Sequence, residues 1–346
     1  MPDTDGGRMP SMRDVARLAN VSHQTVSRVI NEHPSIRPET RQRVLEAMET
    51  LQYRPNRAAR ALVTSRSRTI GVLLGTRGEY GPSSSVAAIE DAAREAGYLV
   101  NTANLADGST EALSEAVDHL LEQAVEGLVV IAPQVRVFDV LTDLRVGVPF
   151  VSLQSEPGEL RTESSAHQMH GARLATEHLI ALGHREIVHI AGAQDWIEAD
   201  SRMRGFLEAI SDADLRTHPP VLGDWTADFG YFAGRELARR RDFTAVFAAN
   251  DVMAIGLLHG FRDAGLDVPR AVSVVGFDDI PLAPHVWPPL TTVHQDFQAL
   301  GRRAVALLLD EMHGTSTASE FEVEHRLVVR ASAAPPLGVE GVARRT

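Results

Sequence analysis

Two sets of side chains in this sequence carry recognisable chemistry. The first lies in the run Ser22-His23-Gln24-Thr25-Val26-Ser27-Arg28. Arg suits the O6 and N7 acceptors of guanine, and Gln suits the N6/N7 edge of adenine. Arg28 and Gln24 are therefore candidate base readers, and His23 could read a base or hold a phosphate. The second set is Arg202, Trp225, Asn250 and Asp278. Asp accepts from two neighbouring hydroxyls, Arg and Asn donate, and an indole face packs on sugar C–H groups, so the set suits a polyol. Taken singly, Asp278 and Asn250 read as turn residues, Trp225 as a rim hydrophobe and Arg202 as a surface ion-pair partner. Taken jointly, at the open ends of apolar runs, they favour a pocket.

Other chemistries find no footing. The chain has no cysteine, which excludes a disulfide scaffold, a thiolate metal site, an iron–sulfur cluster and a cysteine nucleophile. Gly75, Gly78 and Gly81 have the wrong spacing for a dinucleotide loop, and no P-loop, G-x-S-x-G or H-E-x-x-H occurs. His167 and His170 stand at i, i+3, but nothing nearby completes a metal site, so they read as surface histidines. Asp278 and Asp279 are adjacent, and adjacent side chains diverge. Neither an enzyme nor a cofactor or metal site is expected.

The elements that must position these residues follow from periodicity. Ser11-Met12-Arg13-Asp14 fits a capping box ahead of a stripe of Met12, Val15, Leu18 and Ala19. Asn20-Val21 is a tight turn, and Ser22 caps a second helix running to about Asn31 with Val26, Val29 and Ile30 inward. A third helix, Glu39 to Gln52, is expected to bury Val44, Leu45, Met48 and Leu51. Two helices joined by a short turn, the second faced with hydrogen-bonding groups, match a helix-turn-helix. The stretch 51–68 carries five Arg and no acid, and a short helix from Asn56 to Val63 can follow Pro55. From Thr69 on, short apolar runs alternate with helical patterns. Expected strands are Thr69–Leu74, Tyr98–Asn101, Gly127–Ala132, Pro149–Leu153, Glu186–Ala191, Ala245–Ala249, Val272–Phe277 and Thr291–His294. Expected helices include Ser84–Ala96, Glu111–Glu122, Ala172–Leu182, Ser201–Ile210, Phe229–Arg240, Val252–Ala264 and Leu300–His313. Buried strands separated by helices predict parallel, doubly wound α/β sheets in two lobes, with a ligand at the carboxyl ends of the strands.

The chain has 346 residues, 44% hydrophobic and 23% charged, which is globular composition for two or three domains. Its net charge of −12 is divided unevenly: residues 1–68 balance to +5, with 12 Arg against 7 acids, and the remainder to −17. A basic head on an acidic body suggests a head that meets a polyanion. No apolar stretch of about 18 residues exists, and the polar, acidic start lacks a secretory pattern, so no membrane partner and a cytoplasmic, nucleoid-associated address are expected.

The run from Asp14 to Asn31, together with Pro38-Glu39-Thr40-Arg41 and Tyr53 to Leu62, resembles the head of the LacI/GalR family of bacterial transcription repressors. In the body, Gly223-Asp224-Trp225, Ala249-Asn250-Asp251, Ser273 to Asp279 and Pro288 to Phe297 look like signatures of the same family. The resemblance implies an all-α helix-turn-helix head over about 11–55, a hinge helix and linker over 56–68, and a two-lobed, periplasmic-binding-protein-like core over 69–335. It places one lobe at about 69–166 and 297–320, and the other at about 167–294 and 321–331. It implies double-stranded DNA contacts from Ser11, Ser22, His23, Gln24, Thr25, Ser27, Arg28 and Asn31, and from the linker residues Asn56, Arg57, Ala59 and Leu62. Leu62 would wedge between base pairs in the minor groove, a distortion repaid by added contacts. The implied effector-binding residues are Gln154, Arg202, Trp225, Asn250, Asp278 and Phe297.

Four positions depart from a sugar-binding member of the family. Gln154 stands where that member has an acidic ligand to the sugar, Ala166 replaces an aromatic, Glu79 replaces an apolar pocket residue, and His170 takes a place often held by Asp. A sugar or glycoside is implied without its identity. No leucine heptad follows Val329, so a homodimer rather than a tetramer is expected, on a pseudo-palindromic operator. An effector acting as corepressor would use the same parts. A transport-type sugar receptor fits the body alone, and a sugar-processing enzyme would need a nucleophile or metal constellation that is missing.

Overall fold

The computed structural model describes residues 10–30, 33, 35–54, 66–75, 78–105, 109–131, 146–153, 163–240, 242–315 and 323–337. The chain divides into two compact units, Met1–Ser67 and Arg68–Thr346.

The described residues of the first unit form helices α1 (Met12–Leu18), α2 (His23–Ile30) and α3 (Pro38–Thr50). Asp14 reaches back to accept from the Ser11 backbone N–H (2.9 Å) and Oγ (2.6 Å), fixing the start of α1. Asn20 takes φ 52°, a left-handed conformation that Asn tolerates, and turns the chain into α2. Val15, Ala16, Ala19, Val26, Val29, Val44 and Ala47 form the core, with Met12, Ile30, Met48 and Leu51 half-buried around it. Two expected core residues are instead exposed, Leu18 at 52% and Leu45 at 46%. Ala47, one helical turn from Val44, takes the inward place expected for Leu45, because three short helices leave room at their crossing for a small side chain.

The described residues of the second unit form two sheets. The first has strands β1 (Thr69–Leu74), β2 (Leu99–Asn104), β3 (Leu128–Ile131) and β4 (Phe150–Ser152), all parallel, in the order β2-β1-β3-β4. The helices α4 (Tyr80–Glu95) and α5 (Thr110–Glu122) lie between its strands in sequence. The second sheet has β5 (Ile187–Ala191), β6 (Val221–Leu222), β7 (Ala245–Ala248), β8 (Ser273–Asp278), β9 (Thr291–Gln295) and β10 (His325–Val328), in the order β10-β9-β8-β7-β5-β6. With it come α6 (Glu163–Ala181), α7 (Ile197–Asp212), α8 (Ala227–Leu237) and α9 (Asp251–Asp263). The last helix, α10 (Phe297–His313), returns to the first sheet.

Strands β1, β3, β5, β7 and β8 are buried along their whole length. That is the pattern of parallel strands covered on both faces. Alternate residues serve opposite layers. Val188, Val246 and Val274 pack with Leu237, Leu257 and Phe261 on one face of the second sheet, while Ile187, Phe247 and Val275 pack with Ala175, Leu179 and Phe206 on the other. In the first sheet, Ile70 and Val72 pack against Ile89, Val305 and Leu308, and Leu73 and Val130 against Leu113 and Leu120. Helices α8 and α9 touch backbone to backbone: a Cβ on Gly256 would lie 1.9 Å from the Ala227 carbonyl oxygen, and one on Gly230 2.1 Å from that of Met253.

Three features differ from the expectation. β10 pairs antiparallel to β9, so the second sheet is not wholly parallel. The two-residue β6 is too short to show a pattern after His218-Pro219-Pro220. Most helices begin earlier than their apolar period, because their first turns are polar and capped from the preceding loop. Asn250, Thr226 and Asp296 accept at 2.8, 3.1 and 2.8 Å from the backbone N–H three residues on.

Candidate functional site

In the head, Val26 and Val29 anchor α2 in the core, and His23, Gln24 and Arg28 are exposed. Thr25 and Ser27 are half-buried. The Ser22 hydroxyl accepts from the Thr25 N–H at 3.1 Å and bonds its hydroxyl at 2.9 Å, so both residues also hold the start of α2. Ser11 likewise bonds Asp14. Asn31, Asn56, Arg57, Ala59 and Leu62 lie outside the described residues.

In the core, strand order reverses between β1 and β3 in one sheet and between β5 and β7 in the other. Ligands of such sheets sit at these switch points, outside the carboxyl ends of the strands. A cleft of about 600 Å³, its open mouth included, lies there. Its lining follows strand after strand: Glu79 and Tyr80 after β1, Leu153 after β4, Trp196 and Glu198 after β5, Trp225 after β6, Asn250 after β7, Asp278 ending β8, and Gln295 ending β9. Arg202 from α7, Gln168 from α6 and Phe297 from α10 complete it. The expected residues Arg202, Trp225, Asn250, Asp278 and Phe297 thus come together, while Gln154 lies outside the described residues.

The cleft wall is a closed ring. Arg202 Nε donates to Gln168 Oε1 (2.8 Å), Gln168 Nε2 to Gln295 Oε1 (2.7 Å), and Gln295 Nε2 to Asp278 Oδ1 (2.6 Å), while Asp278 faces Arg202 Nη2 at 3.6 Å. Arg202 also donates to the Ala249 carbonyl and lies over the Phe277 ring at 3.9 Å. Burial pushes the Asp278 carboxyl up to about 6, against the pull of Arg202 and the bond from Gln295. Burial also lowers Arg202, which Asp278 partly restores. His325 donates to Gln295 Oε1 at 3.2 Å; burial and then the nearby Arg202 lower it to about 3, so it stays neutral. The ring therefore holds its charges fixed before any ligand arrives.

Backbone strain gathers here as well. Trp225, Asp278 and Asp279 have φ of 73°, 112° and 54°. Such conformations cost about 1–3 kcal/mol each and persist where the surroundings over-determine them. Asn250 does so for Trp225: its Oδ1 caps α9 while its Nδ2 donates to the Trp225 carbonyl at 3.1 Å. Asp278 and Asp279 diverge as expected, the latter accepting from Arg330 (2.6 Å) and His294 (3.0 Å). Trp196 and Trp225 set two indole rings 5.1 Å apart on one side, and Tyr80 meets Phe297 edge-on at 5.7 Å. The polar ring and flanking aromatics together suit a ligand with many hydroxyls.

Sequence reasoning missed Gln168, Gln295, Tyr80, Trp196 and Glu198. Gln295 ends a strand as Asn250 and Asp278 follow theirs, and that signal was present in the sequence. Gln168 falls in the part of α6 that precedes the apolar period. His167 is half-buried, and Ala166 and His170 are exposed. Among the described residues no cluster of three metal-ligating side chains forms.

A helix-turn-helix head followed by a two-sheet core with a ligand cleft defines a ligand-responsive, DNA-binding regulator. The family model described as "bacterial regulatory proteins, lacI family" matches residues 11–56, and that of the periplasmic binding protein-like domain matches 176–333. The lactose operon repressor of Escherichia coli (strain K12) is 33% identical over 329 residues, covering 94% of this chain and 91% of its own. The regulator CelR of Thermobifida fusca is 35% identical over 343 residues, covering 94% and 98%, and the repressor PurR of Pasteurella multocida (strain Pm70) is 32% identical over 339, covering 94% and 98%. The lac repressor dimer bound to operator and the anti-inducer ONPF superposes with a TM-score of 0.79, and the CelR–cellobiose complex with 0.67. Both are 32% identical, with 94% of this chain and 100% of theirs covered. The chain belongs to the lacI family of bacterial regulatory proteins. Its relatives are transcription regulators, not enzymes. No helix among the described residues is long and apolar enough to cross a membrane.

Proposed function

We propose that this protein represses transcription by binding a pseudo-palindromic operator as a homodimer, and that a sugar or glycoside in the core cleft sets its affinity for that operator. The carrying observation is the ring of Arg202, Gln168, Gln295 and Asp278 beside Trp225, prepared for a polyhydroxylated ligand before it arrives. The relatives support it: one is a dimer on operator DNA, another a complex with cellobiose. Residues 11–55 form the DNA reader, with Gln24 and Arg28 on base edges, His23 on a base or phosphate, and Ser11, Ser22, Thr25, Ser27 and Asn31 among the contacts. Residues 56–68 form the hinge, with Asn56, Arg57, Ala59 and Leu62 toward the minor groove. Residues 69–335 form the sensor, where Arg202, Trp225, Asn250, Asp278, Phe297 and Gln154 meet the ligand. Such a protein acts in the cytoplasm, on the nucleoid.

Coupling requires that the ligand bind two arrangements of the core unequally, since equal affinity shifts nothing. DNA favours the arrangement with ordered hinges, and the effector favours the other. A gel shift on DNA upstream of the gene tests this. Binding is expected to prefer one palindrome, to fall steeply as salt rises, and to weaken when the sugar that raises the melting temperature is added. Tightening by the sugar would make it a corepressor. Equal binding to random duplex would overturn the reading.

A further inference from the structure

Glu79 stands at the N-cap position of α4 with extended backbone, yet its side chain makes no capping bond. It lines the cleft instead, and its Oε2 is shut off from solvent with no hydrogen-bond partner among the described residues. A carboxylate oxygen on the cleft wall with no donor among the described residues is free to accept one from a ligand. Trp225, 7% exposed, carries its indole Nε1–H in the same condition. Glu198 and Asp278 add two more carboxylates to the lining, against the one guanidinium, that of Arg202, among the described lining residues. That guanidinium is already engaged by Asp278, Gln168 and the Ala249 carbonyl. Burial raises the Tyr80 hydroxyl, its bond with Ser84 offsets part of the rise, and the charge of Asp278 adds to it. A ligand entering here meets an acceptor wanting a donor, a donor wanting an oxygen, and no uncommitted cation among the described lining residues.

We infer that Glu79 is a specificity-determining residue of the effector cleft: it accepts a hydroxyl or ammonium donor from the ligand, so the cleft takes uncharged and amino sugars and rejects phosphorylated or carboxylated ones. This rests on the sugar reading above. The full-length protein is tested by thermal melting and calorimetry against matched probes: glucose, glucosamine and glucose 6-phosphate, then cellobiose, its diamino analogue and cellobiose 6-phosphate. A neutral or amino member raises the melting temperature and its phosphorylated counterpart does not. Glu79→Leu weakens the binding member about ten- to a hundredfold, the range for a lost hydrogen bond to a charged group. Glu79→Gln retains more of the neutral-sugar affinity and removes any preference for an amine. Both variants keep the unliganded melting temperature, because the carboxylate makes no capping bond. Tighter binding of a phosphorylated member, or wild-type affinity in Glu79→Leu, overturns the inference. Failure of every probe on the wild-type protein sinks the sugar reading itself, and the inference with it, before any variant is compared.

Discussion

In the head, His23, Gln24 and Arg28 are exposed on a helix whose other side buries Val26 and Val29. In the core, Arg202, Asp278, Asn250 and Trp225 are only 5–7% exposed, and each polar group but the indole N–H is bonded to protein. The contrast follows from the two partners. A duplex groove is wide and brings its own donors and acceptors, so a reader helix need only carry free side chains on a stable platform. A small ligand replaces water inside a cleft, so its binding groups must be held in place beforehand or the cost of ordering them falls on the ligand. Substitutions on the head face should therefore change recognition and leave stability alone, whereas those in the hydrogen-bonded ring of the cleft should change both.

Breaking the ring is the strongest test. Arg202→Ala leaves Asp278 buried without its cation, and the core is expected to lose about 3–5 kcal/mol in denaturant unfolding. A loss below about 1 kcal/mol would mean that the ring is not prepaid by the fold. Asp278→Ala is expected to abolish the effector response while operator binding survives; loss of both would mark a structural role.

A second test uses pH. His189 is stacked between Phe206 and Phe247, and burial lowers it from 6.5 to about 4. A histidine with a depressed folded value supports the fold above pH 6.5 and loses that support as pH falls toward 4. Asp278, raised to about 6, acts in the opposite sense and gains as pH falls through 6. The difference between wild type and His189→Phe isolates the histidine, and it should shrink by about 3 kcal/mol from pH 7 to pH 4. A flat difference would show that the His189 imidazole takes up its proton in the fold at the same pH as in the unfolded chain.

On the head, Arg28→Ala is expected to cost about 1–3 kcal/mol at one operator base pair with no change in melting temperature. Uniform weakening on every duplex, measured by competition, would make Arg28 a phosphate contact. The smallest effect belongs to Asp14→Ala, which removes both bonds to Ser11 and should cost the head about 1 kcal/mol in hydrogen-exchange or unfolding measurements.

Much of this organisation was legible in the sequence. Strands such as Thr69–Leu74 show as unbroken apolar runs because both their faces are covered. Asn250 and Asp278 show as polar residues closing such runs. What stayed hidden was hidden for physical reasons. Leu18 and Leu45 have the spacing of a buried stripe, yet a three-helix unit has too little interior to take them. Gln168 sits in the early turns of a helix whose apolar period begins later, so the spacing points to a start too far along the chain. Bonds between residues far apart in sequence, such as Gln168 to Gln295, leave no local trace at all.

The return of α10 to the first sheet matters for a chain emerging from the ribosome. Ala304, Val305 and Leu308 close the layer that Ile70 and Val72 begin, so the earlier lobe stays unsealed until more than 230 further residues have been synthesised. The later lobe completes most of its own layers in the meantime. Ile70 and Val72 therefore wait for their cover while strands β5 to β9 are made, and the second sheet in turn waits for β10.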